Sequence, residues 1–178
     1  GILVLESFES ATKRNANILG EIVGYSATAD AYHLTSPDPN GNGAKSAMIN
    51  ALSYANIGPN RIDYINTHGT STQLNDMIET NAIKNVFKDH AYNISLNSTK
   101  SMTGHLLGAA GAIESIASIL AIKDSIIPPT INYKNYDSKC DLNYTPNKAM
   151  IKKCQYAISN TFGFGGHNAS IIFKKYAN

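Results

Sequence analysis

Two periods of apolar residues divide this chain into elements. Ile2 to Leu5 is a continuous apolar run and predicts a strand, while Glu6 to Leu19 is polar and Ala-rich, as a surface helix or helical connection is. Glu21 to Ala29 mixes Val, Ile and Tyr with small residues and predicts a strand entering a sheet. Pro, Gly and Asn mark 31–43 (AYHLTSPDPNGNG) as a loop. Met48, Leu52 and Ala55 at helical spacing then predict a helix over 44–56, ended by Ile57-Gly58-Pro59. A short strand at 62–65 runs into Asn66 to Thr72, and Met77, Ile78, Ala82, Ile83 and Val86 form one stripe of a helix over 74–87. A strand at 94–96 leads into 97–111 (NSTKSMTGHLLGAAG), and the helix predicted over 111–123 is apolar all round except for Glu114, which implies burial on most sides. The proline pair in 126–131 (IIPPTI) stops it, and 132–153 is a polar connection. Strands over 155–161 and 169–173 flank a long loop, 162–168 (FGFGGHN). Strands alternating with helices, followed by a hairpin-like pair, indicate an α/β sheet covered by helices.

Composition narrows the function. The 178 residues are 43% hydrophobic and 16% charged, enough for one substantial core and unlike a disordered tail. A net charge of +2 is too small to argue for nucleic acid or a membrane surface as partner. No apolar run is long enough to cross a bilayer, and no signal-peptide pattern is present. The opening GILVLES reads as a strand already inside a fold, so the chain is expected to begin partway through a larger protein. Cys140 and Cys154 match no zinc spacing and read as free thiols.

Reactive groups gather in three segments, each following a strand: Asn66 to Thr72, Ser98 to His105, and Phe162 to Asn168. In open α/β sheets ligands sit beyond the carboxyl ends of strands, so these three segments should converge. His68 is followed by Thr70, Ser71 and Thr72, whose hydroxyls suit helix capping, although capping does not account for the imidazole. His105 lies near the start of an apolar helix, where the macrodipole favours a neutral ring able to donate one hydrogen bond to an anionic intermediate. A structural role for either histidine is the simpler alternative. Lys100 is either a solvated loop lysine or fixed positive charge in the same pocket. The Phe162–Gly166 stretch could supply backbone N–H groups to an oxyanion hole, with an aromatic that opens or closes an apolar pocket. It is no phosphate loop, since Gly-Lys-Ser/Thr is absent. His33 and Thr35, one residue apart, would share a face in an extended segment. Neither cysteine sits where its thiol would be activated, so a nucleophile is missing.

The segments DAYHLTSPDPNG, NTHGTST, NSTKSMTGHLLGAAGAIES, PPTIN and SNTFGFGGHNASIIF together resemble the β-ketoacyl-acyl-carrier-protein synthases, condensing enzymes of the thiolase superfamily, over essentially the whole chain. The resemblance implies a thiolase-like half of α-β-α layers, with a mixed five-stranded sheet covered by helices. Residues 1–20 would be a junction strand and helix, and 21–178 the C-terminal domain. It further implies a His-His-Cys enzyme that decarboxylates malonyl-carrier protein and condenses the carbanion with a cysteine-bound acyl chain in fatty-acid elongation.

By position, His68 and His105 resemble the catalytic histidines that stabilise the enolate, and Lys100 the active-site lysine. Glu114 resembles the acid that interacts with that lysine or with a bound ion or water. Phe164 resembles the gating phenylalanine whose N–H completes the oxyanion hole, with Phe162 behind it. Thr70 and Thr72 resemble the threonines that bind the pantetheine arm, and His33 and Thr35 fall at the pocket entrance. No metal and no resident cofactor are implied, because phosphopantetheine arrives on the acyl carrier protein. Partners would be that carrier protein and acyl and malonyl thioesters, with a homodimer for the intact enzyme.

The family's nucleophile belongs to an N-terminal half, and Cys140 resembles a non-catalytic cysteine, so this chain alone is expected to be inactive. A polyketide ketosynthase is the neighbouring alternative. A non-catalytic scaffold that binds carrier protein is the competing class. The Asn, Lys and Ile bias, with GGHN in the last loop, suggests a plastid, an apicomplexan one included; the other expectation is cytoplasm.

Overall fold

In the computed structural model, residues 1–177 are described. Contrary to the predicted strand, residues 1–7 join no sheet: Ile2, Val4 and Leu5 are 88%, 89% and 71% exposed. An apolar run becomes a strand only where it pairs with an edge, and this one pairs with neither outer strand of the sheet. Helix α1 is only Phe8–Lys13, capped by the Ser7 side chain accepting from the Ser10 N–H. Strand β1 (Glu21–Ala29) follows, then a loop, then α2 (Asn42–Tyr54), which buries Ala44, Ala47, Met48, Ala51 and Leu52. Next come β2 (Tyr64–Asn66), α3 (Gln73–Phe87), β3 (Ser95–Asn97) and α4 (Lys100–Thr103). Helix α5 (Ala110–Asp124) precedes two short strands, β4 (Ile126–Ile127) and β5 (Met150–Ile151), and the chain closes with β6 (Tyr156–Gly163) and β7 (His167–Lys174).

Five strands form one mixed sheet in the order β1-β7-β6-β2-β3. β2 runs parallel to both β3 and β6, while β7 is antiparallel to β6 and to β1. Asp63 fixes the β2 and β6 register, its Oδ2 accepting from the backbone N–H of Gln155 (2.7 Å) and Tyr156 (3.1 Å). One core lies between the sheet and the α2 and α3 side, built on Met48, Leu52, Ile65, Ile83, Phe87, Leu96 and Ile172. A smaller one lies against α5, built on Tyr64, Ala121, Ile122, Ile127, Ala157 and Phe173. The layers are thus helix, sheet, helix.

Two expectations change. The hairpin loop is tight, because the strands continue through Gly163 and resume at His167. Helix α5 is not enclosed: its sheet-facing side is Ala110, Glu114, Ser118, Ala121 and Ile122, whereas Leu120 is 41% exposed. Its outer apolar side, with Ile116, Ile119 and Leu120, borders a cavity of about 790 Å³ shared with Ile2, Leu5 and Phe8.

Candidate functional site

Strands β2, β3 and β6 are parallel, so their carboxyl ends deliver 67–72, 98–105 and 163–166 to one edge of the sheet. The expected convergence is present. The His68 and His105 rings stand edge to face, centroids 5.4 Å apart with an 82° interplanar angle, and Phe162 packs 5.6 Å from His68. Phe162 is therefore a half-buried strand residue against the imidazole, while Phe164 sits at the turn, 78% exposed.

His68 is buried, and its Nδ1 has no hydrogen-bond partner among the described residues. Burial, with Lys100 and His105 adding repulsion, pulls its pKa down from 6.5 to about 3, so the ring is neutral. His105 is exposed at the edge of the same site. Its Nδ1 accepts from the Leu107 backbone N–H at 3.1 Å, so the ring proton is on Nε2, free to donate. Leu107 makes this contact with φ at +51°, a left-handed backbone that a leucine adopts only at a cost.

Lys100 is not a solvated loop lysine: it is buried at the start of α4 and ion-paired with Glu114, also buried, one turn into α5. Burial raises the Glu114 carboxyl above its ordinary value, with Lys100 pulling the other way. Glu114 Oε2 and Asn66 Oδ1 are buried without hydrogen-bond partners among the described residues, and the Asn66 amide donates to Thr99 Oγ1 (2.8 Å) and the Glu114 carbonyl (3.2 Å).

Thr70 and Thr72 lie on the rim with their hydroxyls 3.0 Å apart. Both line a cavity of about 660 Å³ that also touches Lys100, Ser98, Tyr133 and Cys140. Burial pushes the Cys140 thiol above its usual pKa, and that of buried Cys154 up to about 12, so neither is an activated nucleophile. His33 and Thr35 are exposed and not extended: His33 Nδ1 accepts the N–H groups of Thr35 (3.1 Å) and Ser36 (3.2 Å), making a compact turn. That turn is tied to the β6–β7 turn, where Gly165 N–H donates to the Leu34 carbonyl (2.6 Å) and Asp30 N–H to the Gly166 carbonyl (2.8 Å). Asn168 Nδ2 completes the tie with a 2.7 Å bond to Asp30 Oδ1.

Glu79 was not singled out from the sequence. It is buried on α3, and its two carboxylate oxygens accept the backbone N–H of His68 and of Gly69, each at 3.0 Å. Burial pushes its pKa up to about 7, against the opposing pull of those N–H groups, Asn160 and Lys100. Its signal was an acid beside Ile78 on the apolar stripe of a helix, the same oddity that marks Glu114 on α5. At Gly69, with φ +43°, a Cβ would come within 2.7 Å of Ser98 Cβ, so only glycine brings the His68 loop this close to the β3 loop.

His68 and Glu79 affect stability in opposite senses. Between its folded value of about 3 and its ordinary 6.5, His68 is protonated only when unfolded, so stability falls as pH drops through that window. Between 4.5 and about 7, Glu79 holds its proton only when folded, so stability falls as pH rises through that window. Each contributes a slope of at most about 1.4 kcal/mol per pH unit. Melting temperatures of Glu79→Gln should lose the decline on the alkaline side, whereas those of His68→Phe should lose the decline on the acid side. Unchanged profiles in both variants would contradict the two assignments.

Residues 19–134 match the family described as Beta-ketoacyl synthase, C-terminal domain. The chain is 53% identical over 176 residues to 3-oxoacyl-acyl-carrier-protein synthase 2 of Synechocystis sp., covering 99% of this chain and 42% of that protein. With the synthase 2 of Staphylococcus aureus the identity is 54% over 176 residues, with the same shares. Among solved structures, a type II polyketide ketosynthase, in complex with its acyl-carrier protein and bound to the hexaketide, superposes with a TM-score of 0.94 at 41% identity, over 97% of this chain and 42% of that one. A β-ketoacyl synthase from Burkholderia phymatum gives 0.89 at 36% identity, over 97% and 41%. The chain therefore spans under half the length of the relatives it matches.

Proposed function

This chain belongs to the β-ketoacyl synthase family, and on that premise we propose that it supplies one wall of a condensing site that joins malonyl-carrier protein to an acyl chain in fatty-acid elongation. The observation that carries this reading is the His68–His105 pair. One ring is held neutral by burial; the other presents Nε2–H because its Nδ1 is occupied.

In the proposed step the bond between C2 of the malonyl group and its carboxylate breaks, CO2 leaves, and the electron pair passes to the thioester as an enolate. Hydrogen bonds from the two imidazoles stabilise the enolate oxygen. The carbanion then attacks an acyl thioester on a cysteine, the new C–C bond forms, and the thiolate departs. That cysteine is neither Cys140 nor Cys154 and would come from a further segment, since the curated relatives are more than twice as long. The uncovered apolar side chains of Ile2, Val4, Leu5, Phe8 and Leu120 fit burial against such a segment.

Lys100 would give the pocket its fixed charge, with Glu114 as its counterion, and the exposed Phe164 turn would form the mouth and lend its N–H to the oxyanion. Thr70 and Thr72, with the His33 and Thr35 turn, would meet the pantetheine arm of the carrier protein, and the chemistry calls for no resident cofactor. A homodimer and a plastid location are further parts of the reading, tested by solution mass and by tagging the native gene. No described helix is long and apolar enough to cross a membrane.

The activity test uses the protein that carries this chain together with the rest of its relatives' length. Malonyl-carrier protein labelled in the free carboxyl should release CO2, and addition of an acyl-carrier protein should yield the β-ketoacyl product. No release from any malonyl thioester would refute the reading. A polyketide ketosynthase gains from the TM-score of 0.94 to such an enzyme. Repeated extension, rather than a single β-keto product, would favour it.

A further inference from the structure

Asn160 is a completely buried amide on β6 that the proposed chemistry does not use. Its Oδ1 accepts from Ser170 Oγ of β7 at 2.8 Å, and its Nδ2 donates to Glu79 Oε1 at 3.3 Å, with Met48 Sδ at 3.5 Å. The Glu79 carboxylate decides which way the amide faces: its Oε1 accepts, so the NH2 points at it, and the Ser170 hydroxyl, able to donate or accept, donates to Oδ1. A polar line therefore crosses the sheet from Ser170 through Asn160 to Glu79, and ends on the backbone N–H groups of His68 and Gly69. Asn160 also lies two residues before Phe162 on the same strand, and so on the same face, as the ring that packs against His68. Strand β6 thus reaches the His68 loop twice, once by ring contact and once through a carboxylate.

Burying an amide in this apolar layer costs free energy unless every polar atom is satisfied, and a leucine would fill similar volume without that cost. What the amide adds is a third donor to a carboxylate already bridging two backbone N–H groups. Rotation of that carboxylate would break one of the two, and the Asn160 bond resists the rotation.

We propose that Asn160 is a positioning residue, which holds the Glu79 carboxylate in register and thereby sets the His68 backbone so that its imidazole faces His105. The catalytic part of this inference rests on the function proposed above; the geometric part does not.

The test uses Asn160→Leu, Asn160→Leu with Ser170→Ala, and Asn160→Asp in the intact protein, with His68→Ala as control. Asn160→Leu should lower kcat for malonyl decarboxylation by about ten- to a hundredfold, with KM little changed, as a small displacement of a reacting group does. Adding Ser170→Ala removes the hydroxyl left unpaired, so the melting temperature should recover while kcat stays low. Asn160→Asp sets a second carboxyl against Glu79, which can donate only when protonated. Its activity should therefore rise relative to wild type as pH is lowered, a response that a merely structural role would not produce.

Amide hydrogen exchange in the peptide spanning 66–72 gives a readout that needs no activity. Exchange there should accelerate about tenfold in Asn160→Leu and stay fast in the double variant. Unchanged exchange in that peptide overturns the inference even if the wild type decarboxylates nothing. Recovery of kcat together with melting temperature in the double variant overturns it as well. Should Asn160→Leu fail to fold, the pH response and exchange of Asn160→Asp decide.

Discussion

His68→Ala and His105→Ala should each slow CO2 release from malonyl-carrier protein by about 10²- to 10³-fold, the scale of losing one oxyanion donor in a water-poor site. The two losses should not multiply. The rings are in contact at 5.4 Å and serve one developing charge, so a double variant is expected to fall little below the worse single one. Glutamine at position 105 should recover part of the loss by offering an N–H, whereas glutamine at position 68 should not, because the buried ring there is also the surface that Phe162 packs on. Because His68 is neutral down to about pH 3, its ionisation should put no acid limb near pH 6 in the wild-type profile. Near wild-type release in both alanine variants would remove these imidazoles from the mechanism.

Glu114→Ala should be the most destabilising single change in the site. It strands the Lys100 ammonium in a buried position, at a cost of about 3–5 kcal/mol, or a melting temperature lower by about 10 °C. Replacing both partners by apolar residues, Lys100→Met with Glu114→Leu, should restore most of that stability, since neither desolvated charge remains. Activity should not return with it if the lysine's field is part of the pocket. A melting temperature within a degree of wild type for Glu114→Ala would mean that the pair is solvated in the working protein.

The order of strands and helices was legible because burial leaves a mark in the sequence: a period of 3.6 along α2 and α3, and short apolar runs at β2 and β3, whose residues are all buried. The site was legible where a residue clashed with its surroundings, as Glu114 did on α5 and the histidines did at strand ends. Spacing alone left Lys100 open between a loop lysine and a fixed charge in the pocket, because its counterion lies fourteen positions on; only the resemblance linked it to Glu114, and the folded α4–α5 corner makes the pair. Glu79 and Asn160 were missed for the same reason, since each partner is set by strand order and not by spacing. The opposite error occurred at Ile2 to Leu5, where an apolar run promised a strand, but the segment pairs with neither free edge of the sheet, β1 or β3. Apolar character reports what a segment must bury, and only the fold says against what.

The sheet order also governs when the protein can form. β1 is complete within the first thirty residues, yet its only partner among the described strands is β7, at 167–174. β6, which joins the parallel pair to that antiparallel edge, begins at Tyr156. A nascent chain emerging in sequence therefore carries β1 without its β7 partner until β7 itself is made, with a long loop to close before the pairing is rewarded. His68 waits equally long, because Phe162 and the Asn160 prop arrive on that same late strand. Synthesis interrupted before β6 would leave β1 without its β7 partner and His68 without the Phe162 ring, so strand pairing and site assembly are completed together.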